Sequence, residues 1–406
     1  MTQLASVLAP SAVRVPRVTA VDDALDACRR HLGMPIAYLT VFDGDDVVFR
    51  SVLSDDASCG VKVGDRQPAA GGYCKAVRDG DLPQIMPDTS LHPVARSLPM
   101  TGMVPIGAMI AIPLVMGDGS TYGMFCCVSH APMPALNDRD HAVMTSFARL
   151  AADVIGSDLA AARDSQTDRQ RVADVIADRD FQLLLQPIVA LGDNSVMGAE
   201  ALCRFRPTPY RSPDKWFALA AQAGLQRQLE TAVITKTLAL LPDLPRALKL
   251  SINVSPEMLA SGTLPGLIDG PFCERIVFEL TEHENLADLT ALQQQMKQLR
   301  RLGVQIAVDD LGAAYGSLNT VLQIKPDIVK LDRELVRGIN LDPASRALAA
   351  GVVHFAQAIG ADIIAEGIEK IEEARTLHAL GVTFGQGFML GRPGSMTALQ
   401  ARTFIC

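Results

Sequence analysis

From about residue 179 onward the sequence repeats one pattern: a short apolar run of strand character, then a stretch of helical spacing. Strand patterns fit "FQLLLQPIV", "VMGAEALCRF", "LKLSINV", "RIVFEL", "VQIAVDD", "DIVKLD", "DIIAEG" and "VTFGQG". Helical patterns fit between most of them, for example at 286–301, 343–359 and 370–380. Eight strands alternating with helices predict an α/β fold of the (β/α)8-barrel type. The first two strands are separated only by "ALGDNS". That is too short for a crossover helix, so an antiparallel first hairpin is expected.

A chain of 406 residues exceeds one ordinary domain, and the upstream part reads differently. Residues 22–33 have helical spacing and end at Gly33. "AYLTVFDGDDVVFRSV" reads as two strands joined by an Asp-Gly turn, and "GAMIAIPLV" and "STYGMFCCVS" as two more. Residues 138–156 form an amphipathic helix, which makes residues 1–156 an α+β domain. Residues 157–178 are polar and Ala-rich, a composition that favours a linking helix. The barrel then occupies 179–406.

Composition removes several classes. A formal net charge of −8 and a pI of about 5.4 argue against a broad basic face for nucleic acid or membrane surfaces. The longest apolar stretch, 104–117, is too short to span a bilayer and contains Pro113, so no membrane partner is expected. The start has no signal-peptide core, and eight scattered cysteines without a CxxC pair suggest reduced thiols. Together these predict a cytoplasmic protein.

Barrel enzymes carry their chemistry at the C-terminal ends of the strands. Those positions here are Asn253, Glu279, Asp309, Asp310, Lys330, Asp332, Glu366 and Gln386, with Glu200 brought to the same mouth by the hairpin. Each alone has an ordinary reading: Glu200 as an outward strand residue, Asn253 as part of a turn before Ser255-Pro256, Lys330 as surface, Gln386 as loop. Their recurrence at equivalent positions argues for a site. Five of these carboxylates in one mouth, Glu200, Glu279, Asp309, Asp310 and Glu366, resist ionisation unless cations neutralise them. Oxygen ligands without histidine or cysteine favour Mg2+ or Mn2+, and adjacent aspartates suit a two-metal phosphodiester-cleaving site. Lys330 would orient water or offset phosphoryl charge.

"LLLQPIV", "AEALCRF", "SINVSP", "FELTE", "VDDLG", "IKPDIVKLD", "IIAEGIE" and "GQGFMLGRP" resemble, in order, the motifs of the EAL-domain family over essentially all of 175–400. The resemblance implies a cyclic di-GMP phosphodiesterase that yields linear pGpG with Mg2+ or Mn2+, two per site, and a homodimer. It implies that Glu200, Asn253, Glu279 and Asp309 hold one metal, with Asp309 bridging to a second that Asp310 also binds. Lys330 would position the water, with Glu366 and Gln386 completing the shell. Arg204, Gln186, Gln386 and Asp332 would contact substrate, and Glu282 would anchor the loop after the paired aspartates. That loop departs from the family's DDFGTGYSSL: it reads "DDLGAAYGSL". The departure leaves a second reading, a weak or inactive cyclic di-GMP receptor.

The first 156 residues resemble a GAF domain through "PIAYLTVFDGD", "GGYCKAVRDGDLPQIMPDTSLHP" and "IAIPLVMGDGSTYGMFCCVS". The resemblance implies a sensory module that regulates the barrel, with an unknown ligand. Cys59 and Cys74 are candidate reactive thiols and His92 and His141 candidate haem ligands, although buried thiols and surface histidines are the commoner case. Cys126 and Cys127, adjacent in a strand, are expected to pack on opposite faces.

Overall fold

The structure, a computed structural model, describes residues 19–56, 59–102, 105–268, 270–281, 289–311 and 317–403. Two compact units divide between Ser165 and Gln166.

In the first unit, β1 (Ile36–Asp43), β2 (Asp46–Ser54), β3 (Arg66–Pro68), β4 (Ile85–Met86), β5 (Ala108–Val115) and β6 (Thr121–Ser129) form one sheet. Its order is β3-β2-β1-β6-β5-β4, with every neighbouring pair antiparallel. The pleat separates two apolar faces. Leu39, Ile110, Phe125 and Cys127 pack with Leu25 and Cys28 of the helix Thr19–Leu32 and with Met144 and Ile155. Tyr38, Met109, Met124 and Cys126 pack with Tyr73, Cys74 and Val77 of the helix Tyr73–Arg78. The adjacent cysteines therefore do point to opposite faces. Cys74 is buried with Thr40 Oγ1 at 3.7 Å from its sulfur, Cys59 and His92 are half-buried, and His141 Nε2 lies 2.8 Å from Gln84 Oε1.

The helix that closes this sheet does not stop at residue 156. Asp138–Asp178 is one helix of 41 residues, where the sequence suggested a closing helix and a separate linking one. Gly156 sits inside it. One glycine costs a helix about 1 kcal/mol relative to alanine, which the Ala-rich, proline-free sequence on either side tolerates.

In the second unit, β7 (Phe181–Ala190), β8 (Val196–Phe205), β9 (Lys249–Val254), β10 (Ile276–Thr281), β11 (Gln305–Leu311), β12 (Ile328–Leu331), β13 (Asp362–Ala365) and β14 (Phe384–Gly385) close into a barrel. Strand β7 is antiparallel to both its neighbours, β8 and β14, and all other pairs are parallel. The short "ALGDNS" connection dictates this, because only a hairpin fits it. Outward side chains such as Leu250, Phe278, Val308 and Val329 meet the surrounding helices in one large core.

Inside the barrel, Ile188, Val277, Ala307, Ile328 and Ile364 form an apolar plug with Phe384 against it. The pleat has a period of two. Two residues toward the mouth on those same strands stand Gln186, Glu279, Asp309, Lys330, Glu366 and Gln386, and Glu200 and Asn253 join them from β8 and β9. A polar layer thus rests directly on an apolar one.

The last strand seats this layer through a close backbone contact. Ile368 N–H donates to Gln386 O at 3.0 Å, and Met389 N–H donates to Ile368 O at 3.1 Å. A Cβ on Gly387 would lie 2.1 Å from the Ile368 carbonyl oxygen. We expect Gly387→Ala to lower the unfolding free energy by about 1–3 kcal/mol, read as a lower urea midpoint at unchanged slope. A wild-type midpoint would show that the contact relaxes freely.

Candidate active site

The centre of the polar layer is the ammonium of Lys330, which is fully buried. Its Nζ lies 2.5 Å from Glu366 Oε1, 2.9 Å from Glu279 Oε2, 3.3 Å from Asp309 Oδ1 and 3.7 Å from Glu200 Oε2. Glu200, offered by the sequence as a possible outward residue, points inward. Its Oε1 accepts from Asn253 Nδ2 at 2.8 Å and its Oε2 from Gln386 Nε2 at 2.7 Å. Gln386 also donates to Gln186 Oε1 at 3.2 Å, and Gln186 Nε2 donates to Gly391 O at 3.1 Å. Eight side chains, one from each strand position of the layer, therefore form one connected network.

The paired aspartates owe their place to a register slip. Val308 pairs with Val329 and Leu311 with Leu331, so Asp309 and Asp310 together oppose Lys330 alone. This is a β-bulge, in which two residues face one and the pleat loses a step. Its effect is visible in the packing. Leu311 joins the helix-side core as Val308 does, although they are three residues apart. The side chain of Asp310 lies outside the described residues, as do Glu282 and residues 312–316 of the altered loop.

Four carboxylates surround a single ammonium, so three negative charges remain uncompensated if all four are ionised. The ionisation equilibria record this shortage. Burial, then repulsion from Glu200 and Asp309, pushes the Glu279 carboxyl well above its ordinary value. Burial, with Asp309 and Glu200 adding to it, pushes Glu366 up to about 8. Burial also acts to raise Glu200, but Lys330, Asn253 and Gln386 outweigh it and hold that group low. Burial alone would lower Lys330, yet the four carboxylates hold it well above its ordinary range.

A divalent metal fits these residues. The donors available are carboxylate oxygens and the amide oxygen of Asn253, as a hard cation requires. Glu279 Oε1 and Gln386 Oε1 are buried without a hydrogen-bond partner among the described residues, and they are acceptors that a cation would satisfy. Among the described residues no three carboxylates are arranged to hold a metal ion by themselves; the four converge on Lys330 instead.

The remaining sequence candidates lie nearer the rim. Arg204 is four residues beyond Glu200 on the same face of β8, and its Nη1 donates to Cys203 O at 2.7 Å. Asp332 caps the short helix Arg333–Val336 by accepting from Glu334 N–H at 2.7 Å. Two supporting carboxylates escaped the sequence reading. Glu373, 2% exposed, accepts from the backbone N–H groups of Gly338, Glu369 and Lys370 at 2.9–3.0 Å, tying down the loop that follows Glu366. Glu230, 6% exposed, accepts from Ser255 just beyond Asn253. The available signal was a charged residue on an apolar helix face beside Leu229, Val233 and Ile234.

Known proteins resemble this chain in sequence and fold. The family profile of the EAL domain matches residues 169–393, and that of the GAF domain matches residues 17–156. The chain is similar to the cyclic di-GMP phosphodiesterase RocR of Pseudomonas aeruginosa, with 31% identity over 237 residues, 55% of this chain and 60% of the relative. It is also similar to the probable cyclic di-GMP phosphodiesterase PdeB of Escherichia coli, with 30% identity over 241 residues, 57% of this chain and 46% of the relative. The chain thus spans about half the length of the curated relatives it matches. Its backbone is similar to that of the PaMucR phosphodiesterase in its cyclic di-GMP complex, with a TM-score of 0.52, 25% identity, and coverage of 57% of this chain and 99% of that one. With one profile running through all eight barrel strands and the other through the upstream sheet, this protein belongs to the EAL-domain family and carries a GAF domain ahead of the barrel.

Proposed function

We propose that this chain is a metal-dependent phosphodiesterase that opens cyclic di-GMP to linear pGpG. The observation that carries the reading is the buried layer of Glu200, Glu279, Asp309 and Glu366 around Lys330, a site with a surplus of negative charge facing the mouth. Cyclic di-GMP is the nucleotide in the names of the relatives and in the PaMucR complex.

In this reading Glu200, Asn253, Glu279 and Asp309 would hold one Mg2+ or Mn2+, and Asp309 and Asp310 would hold a second. Such ions supply Lewis-acid activation of water and neutralise phosphoryl charge. The chain's own residues do the rest. Asn253 and Gln386 fix both oxygens of Glu200, so this carboxylate presents one orientation. Lys330, rigid in its ring of acids, donates to the attacking water and keeps its lone pair aimed at phosphorus. Arg204 grips a phosphate oxygen on the rim, where a guanidinium suits a phosphate. Gln186, Gln386 and Asp332 contact the nucleotide. Water oxygen bonds to phosphorus as the water gives up a proton to solvent, the bond from phosphorus to the 3′-oxygen breaks, and that oxygen takes up a proton from solvent, leaving a 5′-phosphate and a free 3′-hydroxyl.

The GAF domain regulates this activity, and the helix Asp138–Asp178 supports that assignment by running without a break past residue 165 into the barrel unit. The resemblance to the EAL family supports a homodimer as the active form, and the reading places it in the cytoplasm. Among the described residues no helix is long and apolar enough to cross a membrane.

A second reading has its own observation. "LGAAYGS" departs from the family pattern immediately after the metal ligands, and alanine at 314 removes easy access to positive φ. A receptor with that loop binds cyclic di-GMP without cleaving it.

We expect purified protein with Mg2+ or Mn2+ to convert cyclic di-GMP to pGpG, and chelation to stop it. Binding in Ca2+ with no turnover in Mg2+ or Mn2+ would establish the receptor instead. We further expect Glu200→Ala, Asp309→Asn and Lys330→Ala each to reduce kcat at least about 100-fold, the scale of losing a preorganised charge at the reacting centre. A wild-type rate in any of the three removes that residue from the mechanism.

A further inference from the structure

Asn253 is followed, two residues on, by a turn that is held from outside the barrel. Ser255 Oγ caps the helix Pro256–Ala260 by accepting from Met258 N–H at 3.1 Å. The same hydroxyl donates to Glu230 Oε2 at 2.9 Å, and Ser255 N–H donates to that oxygen at 3.2 Å. The other oxygen of Glu230 accepts from Gln226 Nε2 at 3.0 Å. All three donors are neutral, and Glu230 is 6% exposed.

A buried carboxylate served only by neutral donors is a poor choice for stability, since a leucine on the apolar face of that helix avoids the desolvation. What the carboxylate provides is geometry. Two hydrogen bonds converge on one residue, and that residue sets the exit of β9. Asn253, the last polar side chain before that exit, donates to Glu200. The carrier of Glu230, the helix Gln226–Leu238, is itself braced: Leu229 and Val233 pack with Val172 and Val175 of the long helix, and with Phe181 and Phe205.

We propose that Glu230 is a positioning residue for the metal-binding layer: it holds the Ser255 turn and through it fixes the Asn253 amide against Glu200. The proposal rests on the reading of that layer as a metal site. Glu230 touches no reacting atom. It acts through Ser255, as outer hydrogen-bond partners of metal ligands do when they set ligand orientation.

The test uses the full chain and four variants: Glu230→Leu, Glu230→Gln, Ser255→Ala and the Glu230→Leu/Ser255→Ala pair. Three quantities are measured: Mn2+ affinity by calorimetric titration without nucleotide, kcat and KM for cyclic di-GMP, and the thermal midpoint. Glu230→Leu is expected to keep or raise the midpoint while weakening Mn2+ binding about 10-fold or more and lowering kcat, with KM within about twofold. Ser255→Ala reproduces the Mn2+ loss, and the double variant is no worse than the worse single, because both break one link. Glu230→Gln keeps most of the affinity, since its amide oxygen still accepts from Ser255. Wild-type Mn2+ affinity in Ser255→Ala, or additive losses in the double variant, overturns the proposal, and neither depends on Glu230→Leu folding. The Mn2+ titration needs no turnover. A wild type that binds Mn2+ without cleaving cyclic di-GMP sinks the phosphodiesterase reading alone, and one that binds no Mn2+ sinks the metal reading and this role with it.

Discussion

One ammonium shared by four carboxylates sets the terms for the rest of the barrel. Lys330 comes from β12, while Glu200, Glu279 and Asp309 come from β8, β10 and β11 and Glu366 from the end of β13. The barrel must hold five strand ends in register for this cluster to exist, because breaking a buried pair leaves an uncompensated charge worth several kcal/mol. The apolar plug of Ile188, Val277, Ala307, Ile328 and Ile364 supplies the rigid floor on which the charges stand. Too few positive charges remain for the acids present, and the raised Glu279 and Glu366 express that imbalance chemically.

Carboxylates serve two different purposes in this unit. The inner ones compete for one cation and are left wanting another. Glu230 and Glu373 are satisfied by neutral donors, among them backbone N–H groups at the turns that follow β9 and β13. The first kind faces the mouth; the second fixes the loops on which the first kind depends.

The barrel and most of its mouth were legible in the sequence because two simple rules coincide there. A period of two places alternate side chains on one face, and strand ends converge at one side of a barrel. Glu279, Lys330 and Glu366 follow from those rules directly. Gln186 was harder, since β7 runs the other way and its contribution lies mid-strand. The Asp309–Asp310 pair was visible as a pair, but the bulge that seats it depends on β12 and leaves no local mark. Glu230 and Ser255 are 25 residues apart, and a hydrogen bond across that separation has no sequence period at all. The helix Asp138–Asp178 is unbroken, although its sequence changes after residue 156 from an amphipathic stretch to a polar, Ala-rich one, because both compositions favour a helix.

The reversed first strand has a consequence for where the preceding chain enters the barrel. Phe181 pairs with Phe205 at the end of β8, so the chain joins the barrel on the side of its mouth. Had β7 been parallel to its neighbours, the preceding segment would arrive at the floor, roughly 30 Å away for a ten-residue strand. Instead Val172 and Val175 lie among Phe181, Phe205 and Leu229, at the mouth end. The inversion of a single strand brings the preceding segment into the barrel at the mouth, beside the polar layer.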